Sequence, residues 1–94
     1  MVVGVCTLTL DIPHSKSLKD KRSVVKSVIA RVRNQFNVSI AEIGDNDAWH
    51  SAVLGIAAVS NDPAYAHGLL EKAIQLIANS HFDANLADYQ IEIL

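Results

Sequence analysis

The hydrophobic positions of the chain follow two rhythms in turn. Between Val2 and Ile12, Cys6, Leu8, Leu10 and Ile12 fall on one side and Val5, Thr7, Thr9 and Asp11 on the other. A period of two predicts a half-buried strand. Pro13 ends it, because proline has no N–H to give to a ladder. The spacing then changes: Leu18, Val25, Val28, Ile29, Val32 and Phe36 recur at helical intervals and share one stripe. Ser17 is placed as the N-cap of that helix, and Asp20, three residues on, suits the positive end of its dipole. The helix is predicted to run to about Asn34. "FNVSIAEI", Phe36 to Ile43, reads as a second strand, and "GDNDAW", Gly44 to Trp49, as a turn. "SAVLGIAAVS", Ser51 to Ser60, is apolar on both faces, which suits a central strand. Asp62 as cap and Pro63 in the first helical position open a second helix. Its apolar residues are Ala66, Leu69, Leu70, Ala73, Ile74 and Ile77. "NSHFDAN" is a polar connection, and "LADYQIEIL" closes as a strand with Tyr89, Ile91 and Ile93 on one face.

The predicted order is β-α-β-β-α-β. With right-handed crossovers it gives an α+β, ferredoxin-like arrangement: one antiparallel four-stranded sheet with both helices on one face. The first and third strands lie in the middle, and the other face is open. The length suits a single domain, residues 1–94.

Composition narrows the class. Half the residues are hydrophobic and 19% are charged, which excludes an intrinsically disordered type. The one cysteine, Cys6, rules out an intramolecular disulfide and is read as a core residue. The N-terminus has no secretory pattern, and no apolar run nears the ~18 residues of a membrane span. A cytoplasmic setting is the expectation.

Charge changes the picture more. Seven of the eight basic residues, Lys16, Lys19, Lys21, Arg22, Lys26, Arg31 and Arg33, lie in the first 33 positions with only Asp11 and Asp20 against them. The remaining residues carry Lys72 and eight carboxylates. A net charge of −2 therefore conceals a positive end and a negative one. Stepping about 100° per residue from Val25 puts Lys19, Arg22, Lys26 and Arg33 at roughly 60–120°, along one flank of the apolar stripe.

Three blocks, "SLKDKRSVVKSVIARVRNQFNVSIAE", Trp49 followed by "AVLGIAAVSND", and "DYQIEIL", resemble in order and spacing the YlxP-like family of small bacterial proteins. The resemblance covers essentially the whole chain. It implies a ferredoxin-like fold. It also implies a link to RNA or the ribosome, since coding sequences of the family commonly sit beside those of translation initiation and ribosome maturation factors. It brings no reaction and no catalytic residues.

Lys19, Arg22, Lys26 and Arg33 are therefore the candidate RNA-binding residues, with Lys16 and Arg31 peripheral. Such a row spans ~20 Å and suits the phosphates of structured RNA. A ferredoxin-like sheet can instead stack bases on aromatic residues of its middle strands, but the first and third strands here contain no Phe, Tyr or Trp. Binding is thus expected through charge on the helix side, with little sequence specificity. The open sheet face, with Val5, Thr7, Thr9, Val53, Ala57 and Val59, suggests the alternative: a protein-interaction module or homodimer that pairs through the sheet. Glu42, Asp45, Asp47 and His50 lack the spacing of a calcium loop, and Trp49 beside them suits either a strand end or a partner. His14, His50, His67 and His81 form no nucleophilic motif, and no phosphate loop or dinucleotide fingerprint is present. No enzymatic activity, cofactor, metal or small-molecule substrate is expected.

Overall fold

The computed structural model describes all residues, 1–94. Its elements run β1 (Val2–Asp11), α1 (Leu18–Gln35), β2 (Ser39–Gly44), β3 (Ser51–Ser60), α2 (Pro63–Asn79) and β4 (Asn85–Ile93). The strands form one antiparallel sheet in the order β2-β3-β1-β4, and both helices cover one face. The architecture is the ferredoxin-like α+β fold that the order of elements predicts.

The core is built from the faces that the alternation assigns. Cys6, Leu8, Leu10 and Ile12 meet Ala52, Leu54, Ile56 and Ala58 beneath Val25, Val28 and Val32 of α1 and Leu70, Ala73, Ile74 and Ile77 of α2. β1 and β3 pair over ten residues, from Val2 opposite Ser60 to Asp11 opposite Ser51, so one unbroken register holds the middle of the sheet. α2 comes close to β1 at Gly4. A Cβ there would lie 3.0 Å from Leu70 Cδ1 and 3.4 Å from Ala66 Cβ.

The bounds of the second strand shift most. β2 begins at Ser39 rather than Phe36. Phe36 instead terminates α1, with extended dihedrals and its N–H donated to Val32 O at 2.9 Å. β2 ends in a bulge: Glu42 faces Leu54 and Gly44 faces Val53, leaving Ile43 as the extra residue. That insertion bends the strand and brings Ile43 against Gly55, where a Cβ would sit 3.1 Å from Ile43 Cδ1.

Candidate nucleic-acid interface

The N-terminus of α1 is secured before any charge is placed on it. Ser17 accepts a hydrogen bond from Asp20 N at 3.1 Å, and Asp20 Oδ2 accepts one from Lys16 N at 3.0 Å. This reciprocal cap satisfies two backbone donors and aims the first turn outward. Lys19, Arg22 and Lys26 then emerge from successive turns. With Ser23 they line an open depression of about 350 Å³ that contains no apolar residue.

None of these cations is held by a carboxylate. The ion pairs of the molecule are Lys21–Glu42, at 3.0 Å, and His67–Glu71, at 3.9 Å. Lys19, Arg22, Lys26 and Arg33 are all exposed. Arg33 differs from the other three in being tethered: its Nη2 donates to Ile40 O of β2 at 3.2 Å. The structure therefore groups Lys19, Arg22 and Lys26 in one hollow and anchors Arg33 two turns further along, at the sheet edge. Lys16 and Arg31 are exposed and lie outside the hollow.

Lys21 stands in the middle of the basic stretch and points the other way. It is fully buried. Its Nζ donates to the carbonyls of Asp45 at 2.6 Å, Ser51 at 3.2 Å and Asn46 at 3.3 Å, and lies 3.0 Å from Glu42 Oε2. The carboxylate contact is an ion pair with poor hydrogen-bond direction, for Glu42 Oε2 is buried and has no well-aligned donor. Three carbonyls thus supply the directed bonds, and Glu42 supplies the countercharge.

This arrangement shapes the β2–β3 turn. Asp45 has φ of 58°, a left-handed conformation that Asp tolerates better than most residues. Its carboxylate accepts from the Ser51 hydroxyl at 2.8 Å, while its carbonyl takes both the Lys21 ammonium and the N–H of Ala48. His50 Nε2 lies 2.9 Å from Ser15 O, and Ile12 N donates to His50 O at 2.8 Å. The turn is thereby fastened to the start of α1 and to the β1–α1 loop. Glu42, Asp45 and His50, close in sequence, are each engaged with different partners, and no three His, Cys, Asp or Glu side chains converge. Trp49 is half exposed on this turn.

On the far side of Ser23 from the cations, two adjoining hollows of about 300 and 210 Å³ run between α1 and the loop from α2 to β4. They share Ser23, Val24 and Asp83; His14 and Asp20 line one, and Ser27, His81 and Phe82 the other. The open sheet face carries a third, shallow hollow of about 260 Å³ among Val5, Thr7, Ala41, Ile43, Gly55 and Ala57.

Cys6 lies within the sheet, and burial pushes its thiol up from 9.0 to about 11, opposed by a hydrogen bond with the Gln90 backbone and assisted by the Glu71 charge. A thiol so placed is no nucleophile at neutral pH.

Comparison with known proteins agrees with the resemblance in the sequence. The family described as "Protein of unknown function (DUF503)" matches residues 3–91. A relative from Bacillus subtilis (strain 168), "Uncharacterized protein YlxP", is 40% identical over 76 residues, covering 81% of this chain and 83% of the relative.

Proposed function

The chain belongs to the DUF503 family, whose function is unknown, and from that premise we propose that it is a non-enzymatic protein that binds structured RNA through Lys19, Arg22 and Lys26. Arg33 serves as an outlying fourth contact. The observation that carries the reading is the hollow itself: three exposed cations face one space, and no carboxylate of the chain neutralises them.

Helix energetics support it. Cations near a helix N-terminus oppose the macrodipole by about 0.3–1 kcal/mol each. Lys19 falls in the first turn of α1, so its placement works against helix stability and adds to the field an anion meets there. The sheet offers no rival RNA surface, since β1 and β3 hold no aromatic residue. Ribosomal RNA is the favoured form because of the gene neighbourhoods that the family resemblance implies. The setting is then the cytoplasm.

The deciding measurement is RNA affinity across a salt series for the native protein and for Lys26→Glu. Binding that weakens steeply with salt, and falls at least tenfold in the variant, supports the proposal. Retention of full affinity by the variant defeats it.

A second reading rests on the open sheet face, where Val59 and Ile43 are 65% and 57% exposed beside Val5 and Ala57. An apolar surface of this kind favours an interaction module that pairs through the sheet. Sedimentation of native protein and of Val59→Asp distinguishes it: a dimer that the variant dissociates supports pairing, and a monomer in both removes the homodimer.

A further inference from the structure

Around its exposed half, α1 presents bands of different chemistry. Stepping about 100° per residue from Val25, Arg22, Lys26 and Lys19 occupy roughly 60–120°, Ser23 and Ser27 about 160–200°, and Asp20 about 220°. The serines are low: Ser27 folds its hydroxyl back onto Ser23 O at 3.1 Å. Ser23 borders the cationic hollow on one side and both hollows of the α2–β4 groove on the other. A chain lying on the cations therefore crosses into the groove over nothing taller than a serine.

The two sides of that divide suit different parts of one ligand. Asp83 and Asp20 in the groove repel phosphate. Val24 and Phe82, both half-buried, offer apolar surface in the same space. The groove thus fits a group that is apolar on its faces and bears hydrogen-bond donors on its edge. An RNA held by its phosphates presents such a group wherever a nucleotide leaves the helical stack. We infer that the groove takes the base of one unpaired nucleotide whose flanking phosphates lie on Lys19, Arg22 and Lys26.

This inference rests on the proposed RNA binding and adds what kind of RNA is selected. Asp20 already accepts the Lys16 N–H, so Asp83 is the carboxylate without a protein partner. Guanine offers it two neighbouring donors, N1–H and the 2-amino group, which match the two oxygens of a carboxylate. Uracil offers one N–H between two carbonyl oxygens, and those oxygens meet the same carboxylate unfavourably. Guanosine is the preferred occupant and uridine the poorest, while the paired regions are bound without regard to sequence.

The test is an anisotropy titration at about 50 mM salt, where phosphate contacts are strong. It compares a fully paired RNA hairpin with the same hairpin carrying one bulged G, A, C or U, against native protein, Asp83→Asn and Lys26→Glu. The expected result is a bulged-G hairpin bound about tenfold more tightly than the paired one, with bulged U close to paired. Asp83→Asn removes that preference without weakening the paired hairpin, whereas Lys26→Glu weakens every RNA. Equal binding of all five RNAs by native protein, with Lys26→Glu still weaker, overturns the groove and leaves the ridge standing. A guanosine preference that survives Asp83→Asn likewise overturns it. No binding of any RNA overturns the groove and the proposed function together.

Discussion

Lys21 and Cys6 are the two buried titratable residues whose surroundings yield firm expectations. Removing the Lys21 ammonium takes a donor from each of three carbonyls and leaves Glu42, whose Oε2 is buried, without its countercharge. Breaking a buried pair from one side typically costs about 3–5 kcal/mol, so Lys21→Met is expected to lower the unfolding free energy by an amount in that range, seen as a lower urea midpoint with little change in the denaturant slope. Adding Glu42→Gln recovers part of the loss, since the uncompensated charge is then gone. Cys6 sets a pH dependence. Its thiol is raised in the folded state, so deprotonation favours the unfolded chain. Its contribution is complete below pH 9 and is lost between pH 9 and about 11. Denaturation series across that window should show stability falling by about 2–3 kcal/mol, and Cys6→Ala should flatten the fall. The inward turn of Lys21 left a trace in the sequence. At about 100° per residue it falls some 40° from Val25, between Val28 and Val32, inside the apolar stripe. Charge counting hides this, for a lysine in a basic run reads as exposed. Its partners lie 21 to 30 positions away, in and beside a turn whose shape no periodicity encodes.

The elements were legible where periodicity is strong. β1, β3 and both helices follow from alternation, helical stripes and their caps, and Ser17 and Asp62 cap as their residue types predict. β2 was less so. Phe36, Val38 and Ile40 continue an alternating pattern back through the end of α1, and the start of the strand is set by where β3 can reach it, at Ser39 opposite Ala57. The α2–β4 loop, which walls the groove beside Ser23, shows in the sequence only as a polar connection, because its proximity to α1 is a tertiary fact. How closely the elements pack gives another prediction. Gly4 lets α2 approach β1, and Leu70 over it is fully buried. Gly4→Val adds a branched side chain where even a Cβ is tight, so overpacking should cost about 1–3 kcal/mol or more. Thermal unfolding checks this, and Gly68→Ala on the same helix, with nothing within 4 Å of a new Cβ, is the control and should be neutral or stabilising.

Over the whole molecule the segregation of charge acquires a direction. The cationic hollow lies on the helix side, while Asp88 and Glu92 of β4 line up with Thr9 and Val5 on the opposite, open face. An approaching polyanion is steered towards α1 and away from the sheet. Three neutralised phosphates predict a slope of log affinity on log salt of about −2 to −3, near −0.7 to −0.9 for each. Arg22→Ala should reduce the steepness by nearly one such increment and Arg33→Ala by less, because the Arg33 guanidinium is already shared with Ile40 O. The burial of Lys21 reaches further. Amine acylation followed by peptide mass mapping should mark Lys19 and Lys26 quickly in free protein and slowly once a polyanion shields them, while Lys21 stays unmarked in both. Any label that does reach Lys21 then times the opening of the β2–β3 turn, so one lysine keeps a clock for the fold while its neighbours report on the ligand.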